Sequence, residues 1–322
     1  MSLVLELKEK VLNGEELSRS EALALSQEPL EELMQAADEI RVKRCGSAFD
    51  LCTIVNGKCG RCSEDCKYCA QSSHYSTACA KVYPLLPTEE LVSGAKSNDA
   101  RGVLRYSIVT SGKRLSDPEV DRMCDSIRAI KRETSIAVCI SFGLLNEAQF
   151  RRLKEAGATR VHCNLESSAR YFPEVCTTHT YEEKLETLKA AKRAGLSLCS
   201  GGILGLGETM EDRIDLALTA RNLGVASLPV NLLNPIPGTP YEHNRPLTSE
   251  EACRCVAVFR FLLPEAFIRL AGGRGLLKDK GEACFRSGAN AAITGDMLTT
   301  AGISVETDQE LLERLGYQLG AD

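Results

Sequence analysis

Four cysteines fall within eleven residues in "CGRCSEDCKYC" (residues 59–69), and thiolates packed this closely point to metal chemistry. Two arrangements suit them. Four donors can close a tetrahedron around zinc, or three can hold an iron-sulfur cluster and leave one iron open. Zinc ribbons usually separate two CxxC pairs by a dozen or more residues, so that each pair sits on its own knuckle. Here only Ser63, Glu64 and Asp65 separate Cys62 from Cys66, which disfavours zinc and leaves it as the alternative. Cys62, Cys66 and Cys69 are compact enough to wrap three corners of a cubane from one loop.

Such a loop needs a frame. Apolar, β-branched runs recur along the chain: "DLCTIVN", "GVLRYSIVTS", "SIAVCISFG", "RVHCNLE", "LSLCSGGIL", "VASLPVNLL", "AFIRLAG" and "NAAITG". Most are separated by charged segments of helical periodicity, such as "DPEVDRMCDSIRAIKRE" and "TYEEKLETLKAAKRAG". A glycine after several of these, as in "EAGATRV" and "RAGLSLC", stops a helix and returns the chain to the next strand. The alternation predicts an α/β protein, a (β/α)8 TIM-type barrel over residues 41–322, preceded by a helical extension over residues 1–40. The cysteine loop follows the first strand, at the carboxyl end where barrels place their chemistry.

Composition narrows the partners. A net charge of -5, with both signs mixed along the 322 residues, offers no basic footprint for nucleic acid. The sequence has no run of about 18 apolar residues, and its start lacks a signal-peptide core, so a cytoplasmic protein without membrane contact and with a small-molecule partner is expected. Fifteen cysteines in that setting are metal ligands and ordinary buried residues rather than a disulfide framework. Cys124, Cys253 and Cys255, in predicted helices, read as buried small hydrophobes.

The triplet Cys62, Cys66, Cys69, with Tyr68 before its last member, resembles the signature of the radical S-adenosylmethionine (SAM) superfamily. "CSEDCKYCAQSSHY", "LCSGGILGLGET", "VNLLNPIPGTP", "IRLAGGR", "CFRSGAN" and "LTTAG" are similar, in order, to landmarks of the biotin synthase family. The resemblance implies a 4Fe-4S cluster on Cys62, Cys66 and Cys69, with the amino and carboxylate groups of SAM on the open iron. Electron transfer would then cleave SAM to methionine and a 5′-deoxyadenosyl radical. In the family that radical removes hydrogen from unactivated carbons of dethiobiotin, and a second cluster supplies the sulfur. A reductant such as flavodoxin or ferredoxin, and a homodimer, are expected on the same ground.

The resemblance also assigns roles. Tyr68, Glu166, Lys184, Gly201, Gly202, Ile203 and Glu208 would contact SAM, with Lys184 where the family usually has arginine. Asn164 would bridge SAM and the ureido group of the substrate. Asn231 reads as an inward polar strand residue whose unsatisfied amide would cost about 1–3 kcal/mol, so it wants a partner, and the ureido ring offers one. Thr299 and Thr300 resemble the hydroxyl pair for the substrate carboxylate. Cys59 is left as an unligated neighbour.

The auxiliary centre departs from the better-known pattern of three cysteines and one arginine. Cys139, Cys199 and Arg269 match, but Ser107 stands in the remaining cysteine place. Cys45 and Cys52 are extra. Cys45, Cys52, Cys139 and Cys199 would together supply four thiolates to a four-iron auxiliary cluster, with a 2Fe-2S centre using Arg269 as the alternative. Competing readings are a related radical SAM enzyme for amino-acid isomerisation or metallocofactor maturation, and, from another class, an electron-transfer or structural zinc protein, which would have no use for the glycine loop.

Overall fold

The computed structural model describes residues 1–77 and 81–320. All eight predicted strands form: β1 (Ala48–Lys58), β2 (Arg105–Thr110), β3 (Ala137–Ser141), β4 (Ala158–His162), β5 (Ser197–Cys199), β6 (Gly202–Leu204), β7 (Ser227–Leu232), β8 (Phe267–Leu270) and β9 (Ala291–Ile293). "LSLCSGGIL" is split into β5 and β6, because the chain leaves the ladder at Ser200 and Gly201 before β6 rejoins β7. A short β10 (Gln318–Leu319) adds to the edge of β1. These strands pair with one another in parallel, and β9 returns to β1 at Asp50–Ala291 and Cys52–Ile293, closing a (β/α)8-type barrel.

The crossover helices begin at sites written into the sequence. Ser116 with Glu119, Asn146 with Gln149, Thr180 with Glu183, Thr209 with Asp212 and Thr248 with Glu251 each close a capping box. Gly157, at φ +116°, and Gly195, at φ +78°, take the left-handed turns that end two of these helices. Every second strand residue faces the helices, as Leu51, Tyr106, Ile108, Val138, Ile140 and Val161 do, all buried. Each such side chain contributes about 1.5–3 kcal/mol on burial. Cys124, Cys253 and Cys255 belong to this packing, at 3%, 2% and 0% exposure.

Three helices, α1 (Leu3–Leu12), α2 (Arg19–Leu25) and α3 (Leu30–Cys45), precede the barrel. Of these, α2 and α3 pack on the barrel helices 210–223 and 249–262, and α1 packs on α3. The last of them runs on past residue 40 and delivers the chain directly into β1. Among the described residues, no helix is long and apolar enough to cross a membrane.

Candidate active site

The alternate strand residues that do not face the helices point into a cavity of about 420 Å³ within the barrel mouth. Period-two alternation decides which they are: Cys52 and Ile54 from β1, Arg105, Ser107 and Val109 from β2, Cys139 and Ser141 from β3, Arg160 and His162 from β4. Cys199, Asn231 and Arg269 complete the ring from β5, β7 and β8. Cys62, Cys66, Tyr68 and Cys69 from the loop after β1 line the same cavity, as do Thr299 and Thr300.

The cysteine loop is tied down by its own backbone and by a neighbouring segment. Cys62 N–H donates to Gln71 C=O at 3.0 Å, Cys69 N–H to Cys66 C=O at 2.9 Å, and Lys67 N–H to Val175 C=O at 3.0 Å. Asp65 accepts from Thr177 N–H at 2.8 Å and Thr178 N–H at 3.2 Å. Burial opposes its charge, but these hydrogen bonds outweigh it and hold the carboxyl well below its ordinary pKa. Cys59 is buried beside Tyr83 in a backbone bridge and does not line the cavity.

Glu166 occupies a left-handed backbone conformation at φ +67°, which costs about 1–3 kcal/mol for a residue with a side chain and recurs at functional sites. Its Oε1 lies 3.5 Å from Lys184 Nζ, and its buried Oε2 has no hydrogen-bond partner among the described residues. Lys184 Nζ also donates to Asn164 C=O at 2.9 Å. Burial works against the ammonium, and Glu166 with nearby thiols outweighs it, leaving the Lys184 pKa raised. Asn164 Oδ1 accepts from Gly201 N–H at 3.2 Å, so its own N–H donors remain for a ligand.

Several expected contacts turn out differently. Gly201 and Gly202 do not line the cavity; Ile203 does. Their lack of a side chain serves strand contact, since a Cβ on Gly201 would come within 2.0 Å of Pro229 O and one on Gly202 within 2.4 Å of Glu166 O. Glu208 also lies off the cavity, where it pairs with Arg213 at 2.7 Å and accepts from Gly205 and Gly207 N–H, fixing the glycine loop. Asn231 does not await a ligand to satisfy its amide: Nδ2 donates to Gly202 C=O at 3.0 Å and Oδ1 accepts from Gly272 N–H at 3.0 Å. One N–H and one lone pair remain to face the cavity.

The expected four-thiolate set is corrected more sharply. Cys45 ends α3 outside the cavity, its Sγ 3.4 Å from Pro264 O and 3.4 Å from Arg260 Nη1. A helix that packs against the outside of the barrel cannot deliver its last residue inside. Cys52, Cys139 and Cys199 do share the cavity, on β1, β3 and β5. Arg269, the alternative ligand, has its guanidinium donors committed: to Asp50 Oδ2 at 2.7 Å, Asp50 O at 3.0 Å, Ala292 O at 2.9 Å and Ser227 Oγ at 3.2 Å.

Three residues not singled out from the sequence, Asp50, Arg105 and Arg160, join Arg269 in the barrel floor. Asp50, 0% exposed, is held by Arg105 at 2.8 Å, Arg160 at 3.0 Å and Arg269 at 2.7 Å. Burial raises its pKa, but the three guanidiniums outweigh that and leave it lowered. Three positive charges against one negative leave a net positive floor beneath the strand thiols. Burial pushes the Cys139 thiol up to about 11, whereas Cys199 comes down to about 7 because His162, with Nδ1 3.4 Å away, offsets its burial. The available signal was the alternation itself, Asp50–Cys52, Arg105–Ser107 and Arg160–His162–Asn164, read two residues apart. Cys176 and His179 were likewise missed, being in no strand; Cys176 Sγ lies 3.7 Å from Cys66 Sγ.

With this geometry in view, the relatives are informative. The radical SAM superfamily pattern covers residues 58–220, and the Biotin and Thiamin Synthesis associated domain covers residues 229–318. A biotin synthase of Akkermansia muciniphila is 58% identical over 99% of both chains. The chain belongs to the biotin synthase family. A biotin synthase of Brachyspira hyodysenteriae is 55% identical over 98% of this chain and 94% of its own. Among solved structures, methylornithine synthase shares the fold at TM-score 0.84 and 19% identity, covering 98% of this chain and 97% of its own. The FeFe-hydrogenase maturase of Carboxydothermus hydrogenoformans does so at TM-score 0.83 and 19% identity, over 98% and 78%. These two carry the barrel only. Full-length identity above one half to biotin synthases sets this chain apart from both.

Proposed function

We propose that this chain inserts sulfur into dethiobiotin by radical SAM chemistry. The observation that carries the reading is the convergence, in one cavity of a biotin synthase-family barrel, of the loop thiols Cys62, Cys66 and Cys69 with Asn164, Asn231, Thr299 and Thr300. When bound, the 4Fe-4S cluster and SAM supply a radical able to remove hydrogen from carbons that no acid or base could deprotonate at a useful rate.

The residues fit those groups. Three soft donors on one loop match a cubane with one open corner. Glu166, with an unpartnered buried oxygen and an anchored backbone, is suited to accept from ribose hydroxyls of SAM. Lys184 holds Glu166 and Asn164 in place and adds positive charge for a carboxylate, as a point charge where a guanidinium would be a fork. Tyr68 and Ile203 supply apolar wall. Gly201, Gly202 and Glu208 act from behind that wall by setting the path of its backbone. Asn164 and Asn231 hold the ureido group through their remaining donors, and Thr299 with Thr300 receives the carboxylate. Substrate is thus fixed at both ends while the barrel excludes water.

The auxiliary centre belongs on Cys52, Cys139 and Cys199. Three thiolates again suit a four-iron cluster with one corner left to a non-protein ligand such as sulfide. The 2Fe-2S alternative requires a nitrogen from Arg269, whose guanidinium two Asp50 oxygens, Ala292 O and Ser227 Oγ already engage. An external electron donor of the flavodoxin or ferredoxin type, a homodimeric assembly and a cytoplasmic location complete the reading, as does a catalytic domain over residues 41–322 behind the helical segment 1–40.

The test is an anaerobic incubation with SAM, reductant and dethiobiotin, followed by mass spectrometry. Biotin with 5′-deoxyadenosine is expected. 5′-Deoxyadenosine without biotin would transfer the chain to the amino-acid isomerisation or metallocofactor reading.

A further inference from the structure

Cys176 and His179 are buried, at 2% and 7% exposure, and neither has a role in the reading above. They follow the short helix Phe172–Val175, three residues apart, in a turn whose Thr177 and Thr178 N–H groups are fixed on Asp65. Cys176 Sγ lies 3.3 Å from His179 Nδ1 and 3.7 Å from Cys66 Sγ. The donor atoms of Cys66, Cys176 and His179 all fall within 4.8 Å of one another.

The two Cys176 separations match edges of a zinc tetrahedron, and the third, from Cys66 to His179, lies within 4.8 Å. With Zn–S near 2.3 Å and Zn–N near 2.0 Å, tetrahedral angles put two sulfurs about 3.8 Å apart and sulfur and nitrogen about 3.5 Å apart. A cubane corner asks for something else, since the triplet Cys62, Cys66 and Cys69 must spread around a larger body and does not form such a tight group. We propose that Cys66, Cys176 and His179 form a zinc site that shares Cys66 with the iron-sulfur loop, so that zinc and the 4Fe-4S cluster exclude each other. Glu64, whose Oε2 is 2.6 Å from His179 Nδ1, gives up that contact when the ring nitrogen takes the metal; it and Asp65, whose Oδ1 lies 3.1 Å from Cys176 Sγ, are the carboxylates at hand for the fourth position. Two thiolates neutralise the dication, so the nearby Lys184, already paired with Glu166, meets no net positive charge. The soft thiolates and imidazole select zinc over magnesium or calcium. The consequence is a gate on loading: a chain that meets zinc before iron and sulfide lacks its SAM-cleaving cluster until the zinc leaves. This exclusion rests on the assignment of Cys66 as a cluster ligand.

The experiment uses the full chain stripped of iron anaerobically, loaded with zinc chloride, desalted and analysed for metal, with cobalt(II) as a spectroscopic stand-in for thiolate ligation. About one tightly held zinc per chain is expected for this site. Cys176→Ser and His179→Gln should each lose it, while the Cys62→Ser/Cys69→Ser double variant should keep it. Zinc retained by Cys176→Ser and lost by the double variant would put the ion in the signature loop and overturn the proposal, as would no zinc at all. Circular dichroism of each variant checks that loss of metal is not loss of fold. Reconstitution of the zinc-loaded wild type with iron and sulfide should release zinc as the loop cluster forms. A full loop cluster with zinc still bound would overturn the exclusion. If Cys66→Ala still assembled the loop cluster, the cluster assignment would fail, whereas the zinc result would stand by itself.

Discussion

Two sets of three thiols face the same cavity, and they are held in opposite ways. Cys62, Cys66 and Cys69 sit on an irregular loop, partly exposed, pinned by a few backbone hydrogen bonds and flanked by single charges. Cys52, Cys139 and Cys199 sit on regular parallel strands at 6%, 4% and 7% exposure, above an aspartate clasped by three arginines. A loop can adjust around a cluster whose open iron must admit and release a ligand. Strand thiols are fixed by the ladder over a net positive, dry floor, which favours keeping an anionic centre in place. The rim, by contrast, holds Glu166 in a strained backbone conformation and pairs its carboxylate with Lys184 on one oxygen only, as expected where ligands come and go.

The comparison breaks most visibly at the loop. Cys62→Ala, Cys66→Ala or Cys69→Ala should abolish SAM cleavage, measured as 5′-deoxyadenosine, because each removes one of the three ligands proposed for the cluster. Cys59→Ala, outside the cavity, should cleave SAM nearly as wild type does. Equal damage from Cys59→Ala would redraw the ligand set.

Stability should break at the floor. Asp50→Asn leaves three buried guanidiniums without their counter-charge and should cost about 3–5 kcal/mol in denaturant unfolding. The sign with pH follows from the lowered folded pKa of Asp50: its contribution is complete above the unfolded value, about 3.9, and fades as pH falls through the folded one. The gap between wild type and Asp50→Asn should therefore narrow on acidification. A gap of constant size would mean that Asp50 does not carry the charge of the floor.

At the rim the effect is smaller. Glu166→Gln should weaken SAM binding by about 1.5–3 kcal/mol, with iron content unchanged, through loss of a charge-assisted hydrogen bond. Unaltered SAM affinity in equilibrium dialysis would remove Glu166 from the site. Smallest of all, Cys45→Ala should leave auxiliary iron at its wild-type level, since its thiol meets Pro264 and Arg260 outside the barrel.

Much of this was legible before any coordinates. The barrel followed from the βα alternation, and the place of Cys62, Cys66 and Cys69 at its mouth from their position just after the first strand. Cys45 is close to β1 in sequence but not in space: the α3 end lies on the outer side of the barrel, off the cavity. Gly201, Gly202 and Glu208 were read for a ligand, whereas close strand contact and loop clamping explain them. The floor of Asp50, Arg105 and Arg160 went unread because the residues are distant in sequence and lie in separate strands, and only closure of the barrel makes them one network. Cys176 and His179 lie in a turn with no periodicity to mark them.

The central claim is that the strand thiols hold a second iron-sulfur centre, separate from the loop cluster. Iron counting and Mössbauer spectroscopy on the anaerobically reconstituted Cys62→Ala/Cys66→Ala/Cys69→Ala variant test it directly. About four irons should remain. They should be lost when Cys52, Cys139 or Cys199 is also replaced, and kept when Cys45 is. No residual cluster, or about two irons that survive loss of Cys52 and depend on Arg269, would contradict the account.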